Sequence, residues 1–168
     1  MKIIIIGKGD YWQLAPFEGE TWGVNDLILL RPFKRLFDLH AIGSWKDKQK
    51  QIDTRKKALR INTLYTLDNY PLDELKKFFK TDYFSCSAAY MIALAIYEGA
   101  TSIDLYGVNM VIAKEYAHQK PCVDYWCGQA MGRGIEVAVY GKTSTIMKTP
   151  AGLLYGYLTK QELNHGKQ

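Results

Sequence analysis

Glycine and polar residues stand directly behind several apolar runs of this sequence, and their types suit the binding of a phosphorylated ligand. The GKGD turn at 7–10 follows the first β-branched run, Asn25 ends the next apolar segment, and Gly107 and Asn109 follow a third. Glycine allows a ligand to approach the backbone closely, and Lys8 within the first turn supplies positive charge. Lys142, which follows the last apolar run, is a second candidate for neutralising phosphate.

Two serines mark the start of the most regular helical pattern in the chain. Ser85 and Ser87 precede apolar residues that recur at helical spacing up to Gly99. A helix N-terminus carries free N–H groups and partial positive charge, which suits a phosphate. The alternative is that the serines only cap the helix, which is their commonest use.

Three histidines could exchange protons near neutral pH, namely His40, His118 and His165. His118 follows Glu115 within a segment expected to be a loop, so Glu115 could orient it. We therefore predict His118 and Glu115 as catalytic residues, with His118 as a general base or acid. The alternative is a surface histidine that makes ordinary hydrogen bonds.

No metal or bound cofactor is predicted from the spacing of potential ligands. Glu115 with Asp10 or Asp26 could hold a divalent cation, but no carboxylate pair has diagnostic spacing. The three cysteines are an odd number and form no CxxC pair, which favours reduced, buried side chains over a disulfide framework or a zinc site.

Strand and helix patterns alternate along the whole chain, which predicts a three-layer α/β/α Rossmann-like fold with a mostly parallel sheet. We expect strands at 2–6, 21–26, 35–40, 61–67, 103–106 and 135–140. We expect helices at 43–60, from 71 onward, at 85–99 and at 121–132. Parallel sheets bind ligands beyond the carboxyl ends of their strands, so the polar turns should meet at one edge. The missing third glycine after the first strand argues against an ordinary NAD-binding domain.

Length and composition fit one domain of 168 residues with 48% hydrophobic residues. We assign residues 1–148 to the α/β domain and 149–168 to a tail that covers the core, or alternatively forms a homo-oligomer contact. No apolar run approaches a membrane span, and we expect a soluble, cytoplasmic protein. The net charge of +5 comes largely from two basic segments that read as solvated helix faces, so nucleic-acid binding is a secondary hypothesis.

Three segments resemble the nucleotide-binding half of the bacterial sialyltransferases related to the Campylobacter lipooligosaccharide enzymes. They are KIIIIGKGD at 2–10, GVND at 23–26 and SCSAAYMIALAIYEGATSIDLYGVNM at 85–110. The sequence also resembles the broader superfamily of pterin pyrophosphokinase-like proteins, and the segment at 115–146 is similar to small phage-encoded relatives. The resemblance implies a nucleotide or nucleotide sugar as substrate, with Gly7, Gly9, Asn25 and Ser87 at the nucleotide and His118 as the counterpart of the base.

The chain departs from that family in two places. It has Asn109 where the family has Asp, and the interval between Gly107 and Pro121 has room for a loop but not for a full lid. Together with the polar turns, the resemblance gives a predicted nucleotide site of Gly7, Lys8, Gly9, Asp10, Asn25, Ser85, Ser87, Gly107 and Asn109. We expect a glycosyltransferase-like transferase, with a non-catalytic nucleotide-binding protein, or a hydrolase or phosphotransferase, as alternatives.

Overall fold

The computed structural model describes residues 1–60, 63–111 and 114–148, with the backbone alone at 114–117. The strands of the described chain are β1 Lys2–Ile6, β2 Glu20–Val24, β3 Arg35–Phe37, β4 Thr63–Tyr65, β5 Ser102–Tyr106 and β6 Glu136–Tyr140. The α-helices are α1 Lys48–Leu59, α2 Leu72–Phe79, α3 Ser87–Tyr97 and α4 Lys114–Met131, and short 3-10 helices span Trp12–Leu14 and Asn25–Leu29.

All six strands pair in parallel, in the order β4-β3-β2-β1-β5-β6. The chain therefore crosses the sheet in one direction from β1 to β4 and returns to place β5 on the other side of β1. α1 packs against the 3-10 helix Asn25–Leu29, and α3 packs against α2 and α4. The predicted three-layer α/β/α fold is confirmed, and the sheet has its switch point between β1 and β5.

The core lies on both sides of β1 and beneath α3. The side chains of the isoleucine run Ile3 to Ile6 are at most 4% exposed, as a central parallel strand covered by helices requires. In α3, apolar residues are buried from Ala88 to Ile96 except Tyr90, which is only partly buried. This helix packs against β1, α2 and α4, so its N-terminal end is fixed relative to the carboxyl ends of the strands.

The structure corrects the prediction for α4. The helix begins at Lys114 rather than Pro121, so Pro121 lies inside it and His118 lies on a helix instead of in a loop. Helical spacing over 121–132 predicts one buried face made of Val123, Trp126, Cys127, Ala130 and Met131. The first four are buried, but 54% of the Met131 surface is exposed at the end of the helix, so the prediction is wrong for Met131.

The basic helix α1 is shorter than its predicted range and is not a purely solvated face. Asp47 caps it by accepting a hydrogen bond from the backbone N–H of Lys50 at 2.9 Å. Arg55 turns inward and pairs with the buried Asp38, and Lys50 pairs with Asp26. The predicted tail at 149–168 lies outside the described residues. Within the described ranges, no helix is long and apolar enough to cross a bilayer.

Candidate functional site

A cleft of about 640 Å³ opens at the carboxyl ends of the strands, next to the switch point between β1 and β5. Its wall includes the predicted residues Gly7, Lys8, Gly9, Asn25, Ser85, Ser87, Gly107 and Asn109. Asp10 is the predicted binding residue that does not line it. A cleft of this volume is in the range that holds small-molecule ligands.

The glycines of the first turn are required by contact between the two turns at the switch point. The N–H groups of Gly7 and Gly9 donate to the carbonyl oxygens of Tyr106 and Gly107 at 2.8 and 2.7 Å. A Cβ atom on Gly7 would lie 2.4 Å from the Gly107 oxygen, and Gly107 itself has φ +62°. Both N–H groups therefore bond to the chain, one to the last residue of β5 and the other to the turn after it, so they are not free to bind a ligand.

Asn25 follows β2 in a left-handed backbone conformation, with φ 51°. It lines the cleft, and its buried Oδ1 atom has no hydrogen-bond partner among the described residues. A buried oxygen left unpaired costs about 1–3 kcal/mol. The amide is therefore suited to accept a hydrogen bond from a ligand.

A chain of hydrogen bonds links the turns that follow β1, β5 and β6. The Thr143 hydroxyl donates to the carboxylate of Asp10, with oxygen distances of 2.7 and 2.8 Å. Because that hydroxyl has given its hydrogen to Asp10, it accepts the Nδ2–H of Asn109 at 3.0 Å. Asp10 thus orients Asn109 through Thr143 without lining the cleft. The segment Ser144-Thr145 adds further bonds to the backbone carbonyls of 108–110.

The start of α3 forms another wall of the cleft. Cys86 is its N-cap residue and makes no side-chain cap hydrogen bond, so the expectation that Ser85 and Ser87 cap the helix is wrong. Ser87 is instead the first helical residue and Ser85 precedes the cap, and all three line the cleft. Burial raises the pKa of the Cys86 thiol to about 11, although the backbone amides of Ala89 and Ala88 act in the opposite direction. The thiol is therefore neutral at pH 7.

A smaller groove of about 270 Å³ adjoins the cleft and shares Lys8, Asn25 and His40 with it. The remaining lining residues of this smaller groove are Asp26, Trp45, Lys46, Asp47 and Lys50. Asp26 accepts from Lys8 at 2.6 Å and from Lys50 at 2.5 Å. Burial alone would raise the pKa of Asp26, but the hydrogen bonds and charges of Lys50 and Lys8 outweigh it and lower the pKa below its ordinary value.

Asp38 and His40, just beyond β3, form a polar cluster with Arg55 and Gln51 at this edge. The side chain of Asp38 is fully buried, and His40 Nδ1 lies 3.1 Å from its Oδ1. Arg55 Nε and Gln51 Nε2 donate to Oδ2 at 2.6 and 3.2 Å. From sequence, His40 lies at the end of a predicted strand, but only His118 and Glu115 are predicted as catalytic residues. The available signal was the Asp-x-His spacing, since residues two apart in an extended segment share a side.

The two predicted catalytic residues lie on α4. His118 is exposed on α4 and is not among the residues that line the cleft, whereas its neighbour Gln119 is. The side chain of Glu115 lies outside the described residues. Lys142 is exposed and does not line the cleft. The catalytic role of His118 and Glu115 stays a prediction. No group of three potential metal ligands is found in the part of the chain that the structure describes.

No protein-family model matches the sequence, and no curated protein matches it. Among solved structures, the chain is similar to the sialyltransferase CstII from Campylobacter jejuni in complex with a substrate analogue, cytidine-5'-monophosphate. The TM-score is 0.44 at 16% identity, over 89% of this chain and 85% of that one. It is also similar to CstII in complex with CMP-3FNeuAc, with a TM-score of 0.45 at 15% identity, over 88% and 84% of the two chains. The resemblance to pterin pyrophosphokinase-like and phage-encoded proteins stays a prediction.

Proposed function

We propose that the cleft binds a nucleotide or a nucleotide-activated sugar and that the protein is a glycosyltransferase-like enzyme. The observation that carries this proposal is the meeting of the α3 start with the ends of β1, β2 and β5 around one cleft. The helix start lacks a side-chain cap on its N-cap residue, so its N–H groups and partial positive charge are suited to a phosphate.

Two further features support a nucleotide. Lys8 lines the cleft at the end of β1, and because Lys8 and Lys50 share the single carboxylate of Asp26, a net positive charge remains beside the cleft. The unpaired amide oxygen of Asn25 can accept a hydrogen bond from a sugar hydroxyl or a base amino group. The cleft therefore offers positive charge for phosphate and a neutral acceptor for the nucleoside, which is the combination that a nucleotide needs.

Binding is tested by isothermal titration with CMP, UMP, AMP and GMP and with their sugar conjugates. Ser87→Asp is the most informative variant, because a carboxylate in the first turn favours the helix but repels a phosphate there. We expect its thermal stability to equal or exceed that of the wild type while nucleotide affinity falls at least about tenfold, equivalent to about 1.4 kcal/mol. Ser102→Asp is the matched control, because Ser102 begins β5 at the amino ends of the strands, and it should leave affinity unchanged.

Turnover is tested by following free nucleotide released from the sugar conjugates, with and without hydroxyl acceptors. Release that requires an acceptor supports a transferase, and release into water alone supports a hydrolase. If the wild-type protein binds none of these nucleotides, the proposal is wrong.

A further inference from the structure

We propose that His40, oriented by Asp38, is the general base that activates the acceptor hydroxyl, and that the acceptor binds in the groove beside it. This inference rests on the proposed function. A carboxylate can only accept hydrogen bonds, so the 3.1 Å contact with Asp38 requires the hydrogen of neutral His40 to be on Nδ1. The lone pair is then on Nε2, which is the form that a base needs.

The position of Asp38 is fixed more tightly than a simple ion pair needs. Arg55 donates from Nε to the carboxylate and from Nη2 to the backbone oxygens of His40 and Asp38, at 2.7 and 3.3 Å. Gln51 completes the carboxylate shell. Arg55 therefore holds the Asp38 carboxylate and the backbone of His40, and the Asp38 carboxylate in turn is the hydrogen-bond partner of the His40 ring.

A purely structural histidine would be expected to lie in the core beside its carboxylate. Instead, Asp38 is fully buried while 44% of the His40 side chain is exposed. A buried carboxylate beside an exposed imidazole is the arrangement expected of a general base, because the carboxylate orients the ring while the substrate can reach its free nitrogen.

His40 also lies at the boundary between two binding spaces, since it lines both the cleft and the smaller groove. A nucleotide-activated sugar in the cleft and an acceptor in the groove would meet at this residue. Trp45 lies edge-on to the imidazole, with ring centroids 6.3 Å apart, and provides an apolar surface for a sugar ring or another acceptor of that size.

His40 Nε2 takes the proton of the acceptor hydroxyl, and the oxygen forms a bond to the anomeric carbon of the donor. The bond from that carbon to the phosphate oxygen breaks, and the nucleotide leaves with the electron pair. Asp38 stabilises the imidazolium, which releases its proton to solvent. Positioned proton transfer of this kind contributes about 10²–10⁴-fold to rate.

The first test is His40→Gln, which removes the base from an exposed position. We expect nucleotide affinity within about twofold of the wild type and turnover reduced at least about 100-fold. Turnover at the wild-type rate in this variant overturns the inference but leaves the proposed function intact. If His118→Gln loses most of its turnover and His40→Gln loses none, the base is His118 on α4. That result also overturns the inference and leaves the proposed function intact.

The second test is independent of activity and uses ¹⁵N NMR to determine which ring nitrogen of His40 carries the hydrogen. In the wild type at neutral pH we expect hydrogen on Nδ1 of His40, and in Asp38→Asn a shift toward the Nε2–H form. Hydrogen on Nε2 in the wild type overturns the inference even if nucleotides bind. Should Asp38→Asn fail to fold, the wild-type spectrum and His40→Gln still decide. Hydrogen on Nδ1 without any nucleotide binding contradicts the proposed function and, with it, the role of His40.

Discussion

Thr143 donates its hydroxyl hydrogen to Asp10 and so ties the turn after β6 to the turn after β1. The two residues lie 133 positions apart in sequence. Because Asn109 in turn donates to Thr143, one hydroxyl orients an amide at the cleft wall.

Thr143→Val should weaken nucleotide binding about three- to tenfold, because it leaves the Asn109 amide free to rotate and removes the partner of Asp10. Thr143→Ser keeps the hydroxyl and is the matched control, expected to bind as the wild type does. Isothermal titration with the nucleotide that binds best provides the measurement. Equal affinities for the valine and serine variants would show that Asn109 does not need this support.

Gly107→Ala should destabilise the fold by about 3 kcal/mol, from a strained backbone and from contacts that a methyl group cannot make without displacement. Its Cβ would lie 2.8 Å from the Gly7 oxygen and 2.9 Å from the Gly9 oxygen. Gly99→Ala is the control, because Gly99 has a similar φ of +76° but open space around it, and should cost only about 1 kcal/mol. Urea unfolding at constant pH measures both. Similar losses for the two variants would mean that the turns can move apart.

Asp26→Asn should lower stability at neutral pH, and the difference from the wild type should shrink in acid. The pKa of folded Asp26 lies below its ordinary value, so the stabilisation is present above the unfolded pKa and is lost as pH falls through the folded one. Chemical denaturation from pH 7 to pH 3 follows this difference. Asp53→Asn, on the exposed side of α1, serves as the control. A difference that stays constant with pH would contradict the ion pairing with Lys8 and Lys50.

Cys86 should react slowly with iodoacetamide at pH 7 and faster as pH approaches 11, because burial raises its thiol pKa to about 11. Cys86 lines the cleft, whereas Cys122 and Cys127 are fully buried, so Cys86 should be alkylated first in the folded protein. Mass spectrometry of peptides after timed alkylation checks the order of the three cysteines. Adding CMP at pH 9.5 should slow the reaction of Cys86 if the nucleotide occupies the cleft. Rapid labelling of all three cysteines in guanidinium confirms that the reagent is competent. Preferential labelling of Cys127 in the folded state would contradict the described packing.

Most of the sheet could be predicted from sequence because a central parallel strand is buried on both faces and reads as a continuous apolar run. KIIII and the 103–106 segment are of this kind, and both strands lie where they were expected. The strands toward the β4 edge were overestimated. β3 and β4 have three residues each, and Asp38 and His40, which were predicted within β3, lie beyond its end and bond to each other.

The site was harder to predict because its decisive contacts join distant parts of the chain. The orientation of His40 depends on Arg55, which approaches from a helix whose charges looked fully solvated in sequence. In the same way, Thr143 gave no sign of its bond to Asp10. The glycines and Asn25 were found because backbone constraints are local, but the sequence suggested ligand contact for N–H groups that the neighbouring turn uses.

The contact between Gly7 and Gly107 limits where this fold can accept inserted residues. The carbonyl oxygens of each turn occupy the space that a Cβ atom of the other would need, so the first residues of the two turns are fixed beside each other. The turn after β6 is tied to both by the hydrogen bonds of Thr143, Ser144 and Thr145, so the connection after β4 should tolerate insertions better. A larger protein with this fold would therefore keep this pair of turns unchanged and gain new surface beside β4.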